Sequence, residues 1–308
     1  MHCDLGKSVL AVPPLARRDD LAPNKDQNTT LIRHLEQGGI STLMYGGNAN
    51  FYNVGLYEYT SILDMLLEIA RPDTWVIPSI GPDFGKMMDQ AAVLRDRPFP
   101  TAMVLPAATA STPAGVEAGI SVAAERLGRP IILYVKAEEY ITPAAICRLV
   151  DRGFVRAIKY AIVRQDPSRD AFLSELVELV DRAIIVSGMG ERPALVHWRE
   201  FGLAGFTSGS VCVAPRASQA ILAALKRSEI ANAERLRAAF IPLEDCRDVI
   251  NPAQVLHAAV TLAGIADMGP ALPLMSNLEA AYADNVRAAA RDLLQFNNSL
   301  APAEGAAA

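Results

Sequence analysis

The residue in this chain best suited to chemistry is a primary amine at the end of an apolar run. Lys159 closes the run Phe154, Val155, Arg156, Ala157, Ile158, which follows Gly153 and precedes the polar segment 164–170. Short apolar runs with such borders suit a buried strand of a parallel sheet. An ammonium there is costly to desolvate, so its pKa should fall. A neutral amine is a nucleophile that condenses with a carbonyl to form a Schiff base. The same position also suits a lysine that snorkels from a strand end to water. The chain has six lysines (Lys7, Lys25, Lys86, Lys136, Lys159 and Lys226), which makes one at an apolar strand end less casual than in a Lys-rich protein.

A second group stands 25 residues upstream, where Tyr134 ends the apolar run 130–135. A phenol beside an amine can shuttle a proton; an aromatic there can equally be plain filling. Lys136 follows on the same face by strand alternation. Pointing inward, it would lower the pKa of Lys159 and pair with a substrate carboxylate; pointing outward, it is solvated. His2, His34, His197 and His257 fall at the terminus or in helical segments, and no carboxylate cluster suits a divalent cation. Neither a metal nor another cofactor is expected.

The elements that must position these groups alternate regularly. Apolar runs at 8–12, 42–45, 75–80, 102–105, 130–135, 155–159, 183–186 and 204–207 read as strands. Amphipathic segments at 29–37, 56–70, 85–95, 114–127, 142–152, 169–180, 192–201 and 215–227 read as helices, with Asn28, Thr29 and Thr30 as the cap of the first. Eight such units predict a (β/α)₈ TIM barrel over residues 1–228. A doubly wound sheet would often carry a glycine-rich loop after its first strand, where this chain has Pro13 and Pro14. Helices at 229–247, 252–264 and 277–297 form a C-terminal extension, 229–308, that must pack on the barrel or on another subunit.

Barrel active sites lie at the C-terminal ends of the strands. Besides Lys159 and Tyr134, those ends offer Gly46, Gly47, Asn48, Lys136, Gly188, Thr207 and Ser208 for substrate contact. The net charge of −5 without a basic block argues against nucleic acid or an anionic membrane as partner. Cys3, Cys147, Cys212 and Cys246 fit no metal or redox spacing and read as reduced thiols of a cytoplasmic protein. No signal peptide or membrane-spanning run is read.

Taken together, these residues resemble the dihydrodipicolinate synthase and N-acetylneuraminate lyase family of class I aldolases. The resemblance runs in order from about Val9 to Leu294. It rests on Gly38-Gly39-Ile40, the glycine-led loop at Gly46, Ile132-Leu133-Tyr134, and Ala157-Ile158-Lys159-Tyr160-Ala161. It continues through Ser187-Gly188 and from Gly205-Phe206-Thr207-Ser208-Gly209 to Val213-Ala214-Pro215. It implies a Schiff base between Lys159 and pyruvate or another 2-oxo acid, with Tyr134 relaying protons. It also implies a homo-oligomer, dimer or tetramer.

Three departures bear on substrate. The family's Gly-Thr-Thr-Gly-Glu loop is replaced by Gly46-Gly47-Asn48-Ala49-Asn50. The tyrosine pair after strand four is replaced by Pro106-Ala107-Ala108-Thr109-Ala110, and no arginine follows Tyr134 in Lys136-Ala137-Glu138-Glu139-Tyr140. These point away from lysine biosynthesis. They leave open an aldolase with another partner, a dehydratase or hydratase-aldolase on a sugar acid or aromatic substrate, and a non-catalytic barrel that binds a 2-oxo acid.

Overall fold

The computed structural model describes residues 5–107 and 110–301. Eight parallel strands close into a barrel in which β1 (Leu10–Ala11) pairs with both β2 (Thr42–Tyr45) and β8 (Gly205–Ser208). Between them run β3 (Trp75–Ile80), β4 (Met103–Val104), β5 (Ile131–Val135), β6 (Val155–Tyr160) and β7 (Ile185–Ser187), each paired with its neighbour in sequence. The expected (β/α)₈ architecture is the one observed. β1 and β4 are shorter than their apolar runs. Pro13 follows the first, and Pro78, which has no N–H, lies where pairing of β3 passes from β2 to β4.

Register and alternation decide which side chains face the axis. Tyr134 pairs with Lys159, Lys159 with Val186, and Val186 with Gly205, so these four share one face. Tyr160 lies on the other, its ring stacked on Phe172 of α6 (Ala171–Leu179) at 6.0 Å. Lys159 therefore points into the barrel.

The helix after β1 starts earlier than its sequence suggests. Asn24 caps α1 (Lys25–Gln37), its side chain accepting from Gln27 N–H. Asn28, expected in the cap, is buried one turn in, where its amide exchanges hydrogen bonds with Ala16 N–H and C=O at 3.0 and 2.9 Å. Both asparagines suit a cap; the contact with the β1 loop decides between them.

The extension departs once from the expected pattern. Residues 229–247 form two helices, α9 (Ile230–Ala238) and α10 (Ile241–Val249). Pro242 cannot donate to the carbonyl four residues back, so a single helix cannot pass through it. The next two are α11 (Pro252–Leu262) and α12 (Ala280–Ser299). They pack on the barrel: Asn297 of α12 accepts the N–H groups of Arg216 and Ala217 at the start of α8 (Pro215–Lys226), at 2.8 and 3.3 Å. Further back, Met268 C=O accepts from Arg17 N–H at 3.0 Å and Leu272 C=O from Asn50 Nδ2 at 2.9 Å. The extension thus covers the β1 and β2 side of the barrel mouth. No helix among the described residues is long and apolar enough to cross a membrane.

Candidate active site

Lys159 is 4% exposed, and its Nζ lies 4.3 Å from the centroid of the Tyr134 ring. The ring face favours the charged amine, yet the balance runs the other way. Burial pulls the Lys159 ammonium down to about 7, with a smaller push from the charge of Lys136. At that value about half the amine is neutral at pH 7, against roughly one molecule in three thousand for an ordinary lysine. The snorkelling alternative fails because the side chain stays inside the barrel.

Tyr134 is half-buried. Burial raises its phenol well above the ordinary tyrosine range, and the nearby Tyr52 phenol adds to the rise. Tyr140 is raised by the same two causes, and burial pushes Tyr52 up to about 12. Three phenols, from β5, the turn after it and the loop after β2, therefore stay protonated in one neighbourhood, able to donate and take back a proton. Tyr52 and Tyr140 were not among the residues singled out from the sequence. Tyr52 follows the β2 loop by only a few positions, but nothing local marks it as a neighbour of Tyr134.

The β2 loop follows directly on the strand end. A Cβ on Gly46 would lie 2.7 Å from Met103 Cε and 3.2 Å from Ser79 Oγ, so a side chain here would require both neighbours to shift. Residues Gly47–Ala49 make one tight 3₁₀ turn whose first two N–H groups have no partner within the turn. The side chain of Asn48 is committed elsewhere, its Nδ2 donating to Val12 C=O at 2.9 Å. Lys136 lies just past β5 and is exposed, close enough to act on the charge of Lys159.

Gly188 lies beside the stem of Lys159. Its N–H donates to Tyr160 C=O at 2.6 Å, and a Cβ on it would lie 3.0 Å from Lys159 Cγ. Thr207 shares the inward face and is buried. Ser208 faces out: its hydroxyl donates to Glu191 at 2.9 Å and accepts from Val211 N–H. The structure therefore gathers Lys159, Tyr134, Gly46 and Gly188 around one mouth, with Lys136 at the rim and Ser208 behind the wall.

Among the described residues no histidine hydrogen-bonds to Lys159 or Tyr134. His197 is buried behind β7, with Nδ1 2.9 Å from Ser187 Oγ, and burial lowers it to about 4. His34 and His257 each meet a backbone carbonyl. Among the described residues no group of three or more His, Cys, Asp or Glu side chains is placed to hold a metal ion. Cys147, Cys212 and Cys246 are free thiols. Of the β4 loop, Ala108 and Thr109 lie outside the described residues, as do His2, Cys3 and the tail from residue 302. Beside that loop, a cavity of about 770 Å³ lies outside the barrel wall, lined by Phe84, Met87, Val104, Val116, Ile120 and Tyr140, among others.

No family model matches the chain, and no curated protein matches its sequence. Solved structures do match. The chain is similar to a dihydrodipicolinate synthase from Bacillus clausii, at 22% identity and a TM-score of 0.81, covering 95% of this chain and 99% of that one. A dihydrodipicolinate synthase from Oceanobacillus iheyensis matches at 21% identity and a TM-score of 0.80 over 96% and 98% of the two chains. A 4-hydroxy-tetrahydrodipicolinate synthase from Methylacidiphilum fumariolicum matches at 16% identity and 0.82 over 95% and 98%. Barrel and extension together, the chain has the fold of the dihydrodipicolinate synthases.

Proposed function

We propose that the protein is a Schiff-base-forming lyase or aldolase of the dihydrodipicolinate synthase and N-acetylneuraminate lyase family. In this reading it acts on pyruvate or another 2-oxo acid and uses a partner other than that of lysine biosynthesis. The observation that carries it is Lys159: an amine inside the barrel mouth, held near pKa 7, over a tyrosine ring.

The steps follow from those groups. The neutral amine of Lys159 attacks the 2-oxo carbon, and Tyr134 gives its proton to the oxygen that becomes hydroxyl. Loss of that hydroxyl as water, with one proton from the nitrogen, leaves a protonated imine and Tyr134 as a phenolate. When the bond between the carbon next to the imine carbon and a hydroxyl-bearing carbon breaks, its electron pair forms the enamine double bond, the imine π pair moves to nitrogen, and the Tyr134 phenolate takes the hydroxyl proton as an aldehyde leaves. Run backwards, the same path joins the enamine to an aldehyde. The N–H groups of Gly47 and Asn48, which have no partner within the 3₁₀ turn, suit the substrate carboxylate, with Lys136 as a second contact at the rim. Such a barrel would assemble as a dimer or tetramer.

Borohydride with a panel of 2-oxo acids tests this reading. A stable mass increment on the Lys159 peptide is expected, with a trapping rate that rises through about pH 7 as the amine loses its proton. No adduct with any acid of the panel would sink the reading. Product analysis then separates carbon–carbon cleavage from loss of water. Ligand-induced stabilisation without turnover would point to a binding protein instead.

Lys136→Met is expected to weaken 2-oxo acid binding about two- to five-fold, the scale of an exposed ion pair. It should also move the pH midpoint of trapping upward, because a like charge that depresses Lys159 is gone. If affinity and midpoint both stay put, Lys136 has no part in the site.

A further inference from the structure

The chain leaves β7 through Gly188, Met189 and Gly190 and enters α7 (Glu191–Val196). This turn is held from both sides. On the inner side Gly188 runs beside the stem of Lys159, leaving no room for a Cβ between them. On the outer side stand Glu244 and Arg247 of α10. Glu244 Oε1 accepts the N–H of Glu191 at 3.0 Å, and Arg247 Nη2 donates to Met189 C=O at 3.1 Å. Gly190 makes room for them at φ +88°: a Cβ there would lie 2.4 Å from Glu244 Oε1 and 2.7 Å from Arg247 Nη1.

The arrangement is costly for a packing contact. Glu191 and Glu244 are both fully buried. Glu191 accepts from Ser208 and Ser218 at 2.9 and 2.6 Å. Glu244 has Arg247 at 3.4 Å and Arg192 at 4.0 Å, and its Oε2 has no hydrogen-bond partner among the described residues. Burial raises both carboxyls above the usual range, and the Glu191 charge raises Glu244 further. Apolar residues would often do as well or better where packing alone is served.

We propose that Glu244 and Arg247 are positioning residues that clamp the 188–190 turn against the stem of Lys159, so that the helical extension sets the geometry and dryness of the nucleophile. Neither touches substrate. They act through backbone, Arg247 on the Met189 carbonyl and Glu244 on the Glu191 N–H, with Gly188 transmitting the result to Lys159.

The proposal rests on Lys159 as the nucleophile, but its test needs no keto acid, so failure of one is distinguishable from failure of the other. Trace acetylation of the whole protein across about pH 5–10, read by mass spectrometry on the Lys159 peptide, reports the apparent pKa of that amine. In Arg247→Met the midpoint is expected to rise by about one unit as water reaches the amine. Arg247→Lys keeps the charge but puts one nitrogen where Arg247 uses two, Nη1 toward Glu244 and Nη2 toward the Met189 carbonyl, so the two contacts compete for it. A smaller rise is expected, and this variant carries the test if the methionine variant does not fold. Glu244→Gln keeps an acceptor for the Glu191 N–H and should leave the midpoint in place. An unchanged midpoint in both Arg247 variants overturns the proposal, and so does a shift in Glu244→Gln as large as that in Arg247→Met.

Discussion

Lys159→Met is expected to end all adduct formation and, at pH 6, to make the protein more stable by about 2–4 kcal/mol. The gain follows from what the fold does to the amine. Its pKa is 10.5 in an ordinary lysine and about 7 here. Between those values the unfolded chain holds a proton that the folded chain has given up, so stability rises with pH across that window. Below about 7 the folded protein carries a buried ammonium and the full cost. That cost is at most about 5 kcal/mol from the difference in pKa. Methionine has similar length and no charge, so it relieves the cost, while loss of the contact with the Tyr134 ring offsets about 0.5–2 kcal/mol of the gain. Urea unfolding at pH 6, 8.5 and 10 measures this. The advantage should shrink steadily as pH rises towards that of free lysine. A variant no more stable than the parent at pH 6 would mean that the amine is not desolvated in solution.

The second large effect is expected from the smallest change. Gly188→Ala should slow imine formation about a hundredfold, the scale of an ångström's misplacement of a reacting group. It should cost only about 1–3 kcal/mol of stability, as overpacking usually does. The added methyl would lie 2.7 Å from Tyr160 C=O, 2.8 Å from Ala161 Cβ and 3.0 Å from Lys159 Cγ. The first is backbone within the sheet and cannot rotate away. The lysine stem is the movable neighbour, so the strain falls on Lys159. Trapping rates beside urea unfolding separate the two quantities. Parent-like trapping in this variant would show that the turn yields and Lys159 does not.

The barrel was legible in the chain because each strand buried on two faces reads as a short apolar run, and each covering helix as an amphipathic segment. β2 and β3 agree with their runs to the residue. What local pattern missed were boundaries set by contacts. Asn24 and Asn28 are equally good caps, and only the β1 loop, by occupying Asn28, makes Asn24 the cap. In 229–247 the alanine-rich pattern outweighed Pro242, which lies inside one long helix by pattern and in the first turn of a second by geometry.

The site divides the same way. Lys159 and Tyr134 were readable because a reactive type at an apolar strand end is a local feature, and eightfold order places both ends at one mouth. Tyr52 and Tyr140 were not, since Tyr140 sits in the turn after β5 and only the closed barrel brings Tyr52, from the loop after β2, near both. Nor were Glu191 and Glu244: in sequence they are ordinary helical carboxylates, and only the docking of α10 against the β7 turn buries them. The sequence by itself determined the barrel and the amine within it, because periodicity and residue type are properties of short stretches. Tertiary structure alone decided what surrounds and dries Lys159, because desolvation depends on which distant segments close over a group.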